Sequence, residues 1–132
     1  MSVVADSHAI FWYLRGSDRL SSAAAEALRQ AERTDGIVVS VATLVDLWYV
    51  TQTTQGLTVD DLAGLRATLD SSAKYVLEPI DVRVVDASTT IPRASLADPW
   101  DRFIVATAKA LDLSLVTRDG PIQKAAIVPT IW

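Results

Sequence analysis

The residues of this chain best placed to do chemistry are aspartates that stand alone. Asp46 is the only charged residue between Asp35 and Asp60, and its neighbours are Leu44, Val45, Leu47, Trp48 and Val50. Asp6 is the only formally charged side chain ahead of Arg15. An ionised carboxylate in apolar surroundings is costly, so it either shifts its pKa or acquires a cation. No lysine or arginine lies near either residue in sequence, and two such acids suggest one shared counter-ion. Hard divalent cations fit that role, because they prefer carboxylate oxygen and keep several waters. A metal held this way acidifies water and stabilises charge on a phosphodiester undergoing in-line displacement, so the pattern points to hydrolysis of RNA or DNA.

Two further acids join this set by position. Asp119 follows the apolar run Leu115-Val116, and Asp101 sits in the first turn of a predicted helix on the same face as Ile104, Val105 and Ala108. Both also have structural readings. Asp101 complements the helix dipole, and Asp119 suits the turn Arg118-Asp119-Gly120-Pro121. Asp98 reads first as a helix N-cap, with a secondary place at the rim of the site. His8 follows a strand directly and reads as a packed or capping group rather than a ligand. Phe11-Trp12-Tyr13 and Trp48-Tyr49 read as core or dimer interface. Arg15, Arg19, Arg93, Arg102 and Arg118 are scattered candidates for holding phosphates.

The elements that must position these residues follow from pattern. Ser2 to Ala5 reads as a buried strand delivering Asp6 at its end, and Ala9 to Leu14 as a helix. Ser21 caps a second helix running to Arg33, and Thr34-Asp35-Gly36 breaks it. Ile37 to Ser40 is a second buried strand, followed by a helix over Val41 to Thr51. Thr58 caps a helix through Leu69, Tyr75 to Leu77 is a third strand, and Val82 to Thr90 a helix stopped by Ile91-Pro92. Asp98-Pro99 opens a helix to Leu111, because an Asp cap followed by Pro at the first position satisfies exposed donors and presets φ. Leu113 to Thr117 and Ile127 to Trp132 close the pattern as strands. Strands alternating with helices over short connections predict an α/β domain with a mainly parallel sheet, whose ligand crevice lies beyond the carboxyl ends of the strands.

Composition sets the outer bounds. The chain has 132 residues and 50% hydrophobic content, which suits one core and one domain over 1–132. No apolar run reaches membrane-spanning length, and the first residues lack a basic secretory leader, so a cytoplasmic protein is expected. With no cysteine, thiolate metal sites and thiol nucleophiles are excluded. A net charge of −4 from 16 acids and 12 bases argues against gripping nucleic acid by bulk charge. An acidic pocket that binds a cation changes its own local sign.

Four segments in order resemble a known family. Asp6-Ser7-His8-Ala9-Ile10-Phe11-Trp12, Ser40 to Leu47, Asp98-Pro99-Trp100-Asp101-Arg102 through Ala108, and Leu115-Val116-Thr117-Arg118-Asp119 resemble the conserved blocks of PIN-domain ribonucleases of the VapC type, the toxin half of VapBC toxin–antitoxin pairs. The resemblance implies a three-layer α/β/α fold around a sheet of four to five strands. It also implies an Mg²⁺ or Mn²⁺ site, endoribonuclease activity on structured RNA such as tRNA or rRNA, dimerisation, and a larger assembly with an inhibitory VapB antitoxin. Carried over by position, Asp6 and Asp101 would be the principal metal ligands, Asp46 and Asp119 would complete the acidic quartet, and Thr117 would orient a carboxylate or water. Asp46 departs from the family, which usually has Glu there, so a weakened PIN-like binding module is the alternative. A receiver domain would want adjacent acids and a late lysine, and a haloacid-dehalogenase-like phosphatase would want Asp where His8 stands.

Overall fold

In a computed structural model, which describes residues 1–53 and 56–132, strands and helices alternate along the chain. In order they are β1 (Val3–Ala5), α1 (Ser7–Arg15), α2 (Ser22–Arg33), β2 (Ile37–Ser40), α3 (Val41–Thr53), α4 (Val59–Ser71) and β3 (Tyr75–Glu78). The second half adds α5 (Val82–Thr89), α6 (Pro99–Leu111), β4 (Leu115–Val116), α7 (Gly120–Ala125) and β5 (Thr130–Ile131). The strands form one sheet in the order β3-β2-β1-β4-β5. Every pairing is parallel.

Alternation along the strands builds two cores, one on each face of the sheet. Val3, Ala5, Ile37 and Val39 pack with Ile10 of α1, Leu28 of α2 and Leu65 of α4. Val4, Val38 and Leu115 point the other way, against Val84 of α5, Ile104 of α6 and Ile122 of α7. Because side chains on a strand alternate in direction, buried strands flanked by helices on both faces give three layers, as expected from the sequence.

The strand order places the reversal of winding between β1 and β4. The chain moves outward from β1 through β2 to β3, then returns to lay β4 against the other edge of β1, with Ala5 beside Val116. A doubly wound sheet opens a crevice at such a reversal, beyond the carboxyl ends of the two strands. Asp6 leaves β1 there, and Thr117 leaves β4.

Sequence and structure differ in detail. The first helix starts at Ser7 rather than Ala9, because Asp6 serves as its N-cap. β4 and β5 are shorter than their apolar runs. The segment after Asp119, expected to be a turn, is the short helix α7 with Asp119 as its cap and Pro121 in its first turn. Asp46 does not sit on a helix buried all round: Asp46 is half-buried, and α3 leaves Val45 38%, Trp48 45% and Tyr49 48% exposed.

Candidate active site

All but Asp46, which sits within α3, are delivered by local helix-start chemistry. Asp6, Asp98 and Asp119 are the N-caps of α1, α6 and α7, so one oxygen of each accepts a bond from a backbone N–H that the helix itself cannot satisfy. Asp98 Oδ1 accepts from Trp100 N and Asp101 N at 2.9 and 3.1 Å. That cap fixes the first turn of α6 and with it the direction of Asp101. Arg102, next in line, donates to the carbonyls of Ser88, Ile91, Pro92 and Leu96, tying the start of α6 to the end of α5 and the loop between them. The guanidinium is consumed by structure, so Arg102 is not the phosphate contact considered from sequence.

These elements bring five carboxylates to one pocket of about 440 Å³. Asp6, Asp46, Asp98, Asp101 and Asp119 line it together with His8, Trp12, Arg19 and Arg118. Among the described residues none of these acids is in an ion pair. Hydroxyl groups stand where cations are missing. Thr117 Oγ1 donates to Asp6 Oδ2 at 2.6 Å across the β1–β4 junction and accepts from Asp119 N at 3.0 Å. Ser7 N donates to Asp6 Oδ1 at 2.8 Å, and Ser7 Oγ donates to Asp46 Oδ2 at 2.6 Å.

Ser7 is therefore a site residue that the sequence reading passed over. It links the acid that follows β1 to the acid of α3, its hydroxyl reaching a residue 39 positions along the chain. Its only sequence signal was its place directly after Asp6.

The electrostatics follow from this crowding. Burial raises the Asp6 carboxyl; the bonds from Thr117 and Ser7 oppose the rise, and Asp119 and Asp46 add to it. Asp101 is pushed up to about 7, first by burial, then by the charges of Asp6, Asp98, Asp119 and Asp46. Among the described residues Asp101 is also the pocket acid whose carboxylate receives no hydrogen bond. Burial and the neighbouring acids disfavour its charged form, and a nearby cation would favour it.

The donor set fits a hard divalent ion of the open kind. No group of three or more His, Cys, Asp or Glu among the described residues forms a ready-made cage. Mg²⁺ does not require one, since it is usually held by one or two carboxylates and keeps waters for the rest of its shell.

The whole chain can now be set beside known proteins. Residues 3–128 match the family described as PIN domain. The chain belongs to the PIN-domain family. It is 29% identical over 123 residues to Ribonuclease VapC22 of Mycobacterium tuberculosis, covering 92% of this chain and 90% of that protein. Its fold resembles the crystal structure of VapBC2 from Rickettsia felis bound to a promoter DNA fragment, with a TM-score of 0.70 at 12% identity, covering 98% of this chain and 97% of that one. It also resembles the crystal structure of FitAcB from Neisseria gonorrhoeae, with a TM-score of 0.65 at 23% identity and coverage of 98% and 96%. The family expected from the four motif blocks is thus the family found, and the PIN fold places those blocks around one crevice.

Proposed function

We propose that this chain, a single PIN domain over residues 1–132, is the toxin of a VapBC-type pair: a divalent-metal-dependent endoribonuclease. It would cleave phosphodiester bonds in structured RNA such as tRNA or rRNA in the cytoplasm, restrained by a VapB-type antitoxin. The observation that carries this reading is the meeting of acids from α1, α3, α6 and α7 in one pocket, with no ion pair among the described residues to neutralise them. The resemblance to a ribonuclease along most of its length supports the reaction class.

Asp6 and Asp101 would hold Mg²⁺ or Mn²⁺, and Asp46 and Asp119 would act beside them directly or through water. When bound, such an ion contributes Lewis acidity toward a phosphoryl oxygen and acidifies water. The rest falls to the chain's own residues. Thr117 fixes the rotamer of Asp6 by its short hydrogen bond, and Ser7 holds Asp46, whose side chain is one methylene shorter than the usual Glu. Asp101, with its raised pKa, can hold or release a proton near neutral pH.

A homodimer, and a larger assembly with the antitoxin, is supported by the exposed aromatic face of α3, where Trp48 and Tyr49 lie edge to face at 5.0 Å and Tyr49 approaches Trp100 at 6.1 Å. No helix among the described residues is long and apolar enough to cross a membrane.

The test is cleavage of RNA by purified, antitoxin-free protein with Mg²⁺ or Mn²⁺, against EDTA and against Asp101→Asn. Cleavage that requires the ion and Asp101 is expected. Equal cleavage in every condition overturns the proposal, and metal binding without cleavage points instead to a PIN-like binding module weakened at Asp46.

A further inference from the structure

An acidic pocket in a chain of net charge −4 must still attract a polyanion. Local positive charge has to come from somewhere, and the cations of this chain differ sharply in how far they are engaged. Arg15 pairs with Asp61 at 2.7 Å and stacks on Phe11. Arg29 and Arg33 serve Glu26, Arg66 serves Asp70, Arg83 serves Glu78 and Asp81, and Lys74 serves Glu32. Lys109 donates to Thr90, and Arg102 is spent on carbonyls. Among the described residues the guanidiniums of Arg19 and Arg118 have neither an acid nor a carbonyl partner, and both line the acidic pocket.

Both lie over one indole. The Arg118 guanidinium carbon lies 5.4 Å from the Trp12 ring centroid and that of Arg19 lies 6.0 Å from it. Trp12 is itself buried, and packed against the rings of His8 and Trp132. A guanidinium resting on an aromatic face loses little hydration and keeps its N–H donors free in its own plane, the geometry that suits phosphate oxygens. The backbone on both sides is fixed as well. Arg118 lies between Thr117, bonded to Asp6, and Asp119, the cap of α7. Arg19 follows the left-handed Gly16, which ends α1 and turns the chain back past Trp12.

We infer that Arg19 and Arg118, both stacked on Trp12, form a phosphate clamp at the lip of the acidic pocket that seats the RNA strand beside the phosphodiester to be cleaved. This rests on the ribonuclease reading and adds to it the residues that bind substrate, with Trp12 as a positioning residue. The division of labour is physical: the acids collect the cation, and the clamp supplies the attraction for neighbouring phosphates that the acids alone would repel.

The experiment measures binding of a fluorescein-labelled single-stranded oligoribonucleotide of mixed sequence to full-length Asp101→Asn protein in Mg²⁺, over a series of salt concentrations. Each phosphate contact to a single strand contributes about 0.7 to the slope of log affinity against log salt. Arg19→Ala and Arg118→Ala are each expected to weaken binding and flatten that slope by roughly 0.7, and Arg66→Ala, on α4 and paired with Asp70 away from the pocket lining, to leave it unchanged. Arg19→Lys and Arg118→Lys should keep most of the slope and lose affinity, since the charge stays and the stacked fork goes. Trp12→Leu should cost roughly two- to fivefold in affinity per arginine released at nearly constant slope, with Trp12→Phe recovering part of it. Slopes unchanged in both alanine variants overturn the clamp, whether or not the wild type cleaves RNA. Flattened slopes in a protein that cleaves no RNA would uphold the clamp and remove the nuclease reading.

Discussion

Around Glu32, where α2 passes the start of β3, a half-buried acid is surrounded by donors. The Tyr13 hydroxyl donates to one of its oxygens, and Lys74 lies 3.4 Å from the other. Burial and the bond to Glu32 drive the Tyr13 hydroxyl well above its ordinary pKa, so it stays a donor at any physiological pH. At the β1–β4 crevice, by contrast, Asp101 is also half-buried and faces other acids, with no bond to its carboxylate among the described residues. Both regions desolvate a carboxylate, and only the first offsets the cost within the chain. An uncompensated acid on a fold that elsewhere compensates its acids is a cost retained for something outside the chain.

The sharpest way to break that contrast is to remove an acid from each region. Asp6→Asn or Asp101→Asn should lower the initial rate of Mg²⁺-supported RNA cleavage by roughly 100-fold or more, since even a group one step removed from a metal is commonly worth about 10–100-fold. Glu32→Gln should leave the rate of the folded protein unchanged. Comparable losses in both would mean that the rate reports folding and not the site.

Metal binding should separate the regions next. The Asp101 carboxyl, at about 7, must release its proton to bind a cation, so Mg²⁺ affinity should rise with pH through about 7 and level off above it. Titration calorimetry in buffers of different ionisation enthalpy would count the proton released. Affinity that stays flat across this window would remove Asp101 from the ligand set.

Stability should then move in opposite directions. In the folded, metal-free protein Asp101 keeps a proton up to about 7, whereas its ordinary value is 3.8. Between those values the folded state holds more protons than the unfolded state, so this group makes stability fall as pH rises through the window. Asp101→Asn should therefore raise the melting temperature of metal-free protein at pH 7 by a few degrees, with the gain shrinking toward pH 4. Glu32→Gln should lower it, by about 1 kcal/mol in stability, because the Tyr13 donor loses a charged acceptor. Melting curves at several pH values test both signs, and a destabilised Asp101→Asn would refute the claim of an uncompensated acid.

Much of this was legible in residues alone, for reasons that can be named. Asp98-Pro99 announced α6 because cap and first-turn chemistry are local, and Ile37 to Ser40 announced a strand because both faces of a parallel sheet are buried. Asp6 and Asp46 were visible as acids without neighbours of opposite charge. The helical nature of 120–125 was not legible, since six residues carry too little periodicity and Gly-Pro reads equally as a turn. For Trp48 and Tyr49 the residues left core and dimer interface both open, because an apolar helix reads the same whether a core or another surface covers it. The hydroxyl of Ser7 was missed, and Arg19 and Arg118 could not be told apart from the other scattered arginines, for a different reason. Their roles depend on distances across the fold, between residues that nothing local pairs.

The smallest effect concerns how residue 46 is aimed. Asp46 reaches the pocket from α3 with a short side chain, and the Ser7 hydroxyl holds one of its oxygens at 2.6 Å. Ser7→Ala should reduce cleavage by roughly tenfold, the scale of a group that orients a metal-site carboxylate. Asp46→Glu lengthens the reach and should raise metal affinity or turnover modestly. In the Asp46→Glu background the hydroxyl has less to correct, so Ser7→Ala should cost less there, and a double-mutant cycle isolates the coupling. A loss of equal size in both backgrounds would mean that the Ser7 hydroxyl does not act by aiming residue 46, and that the α3 acid is aimed by its own helix.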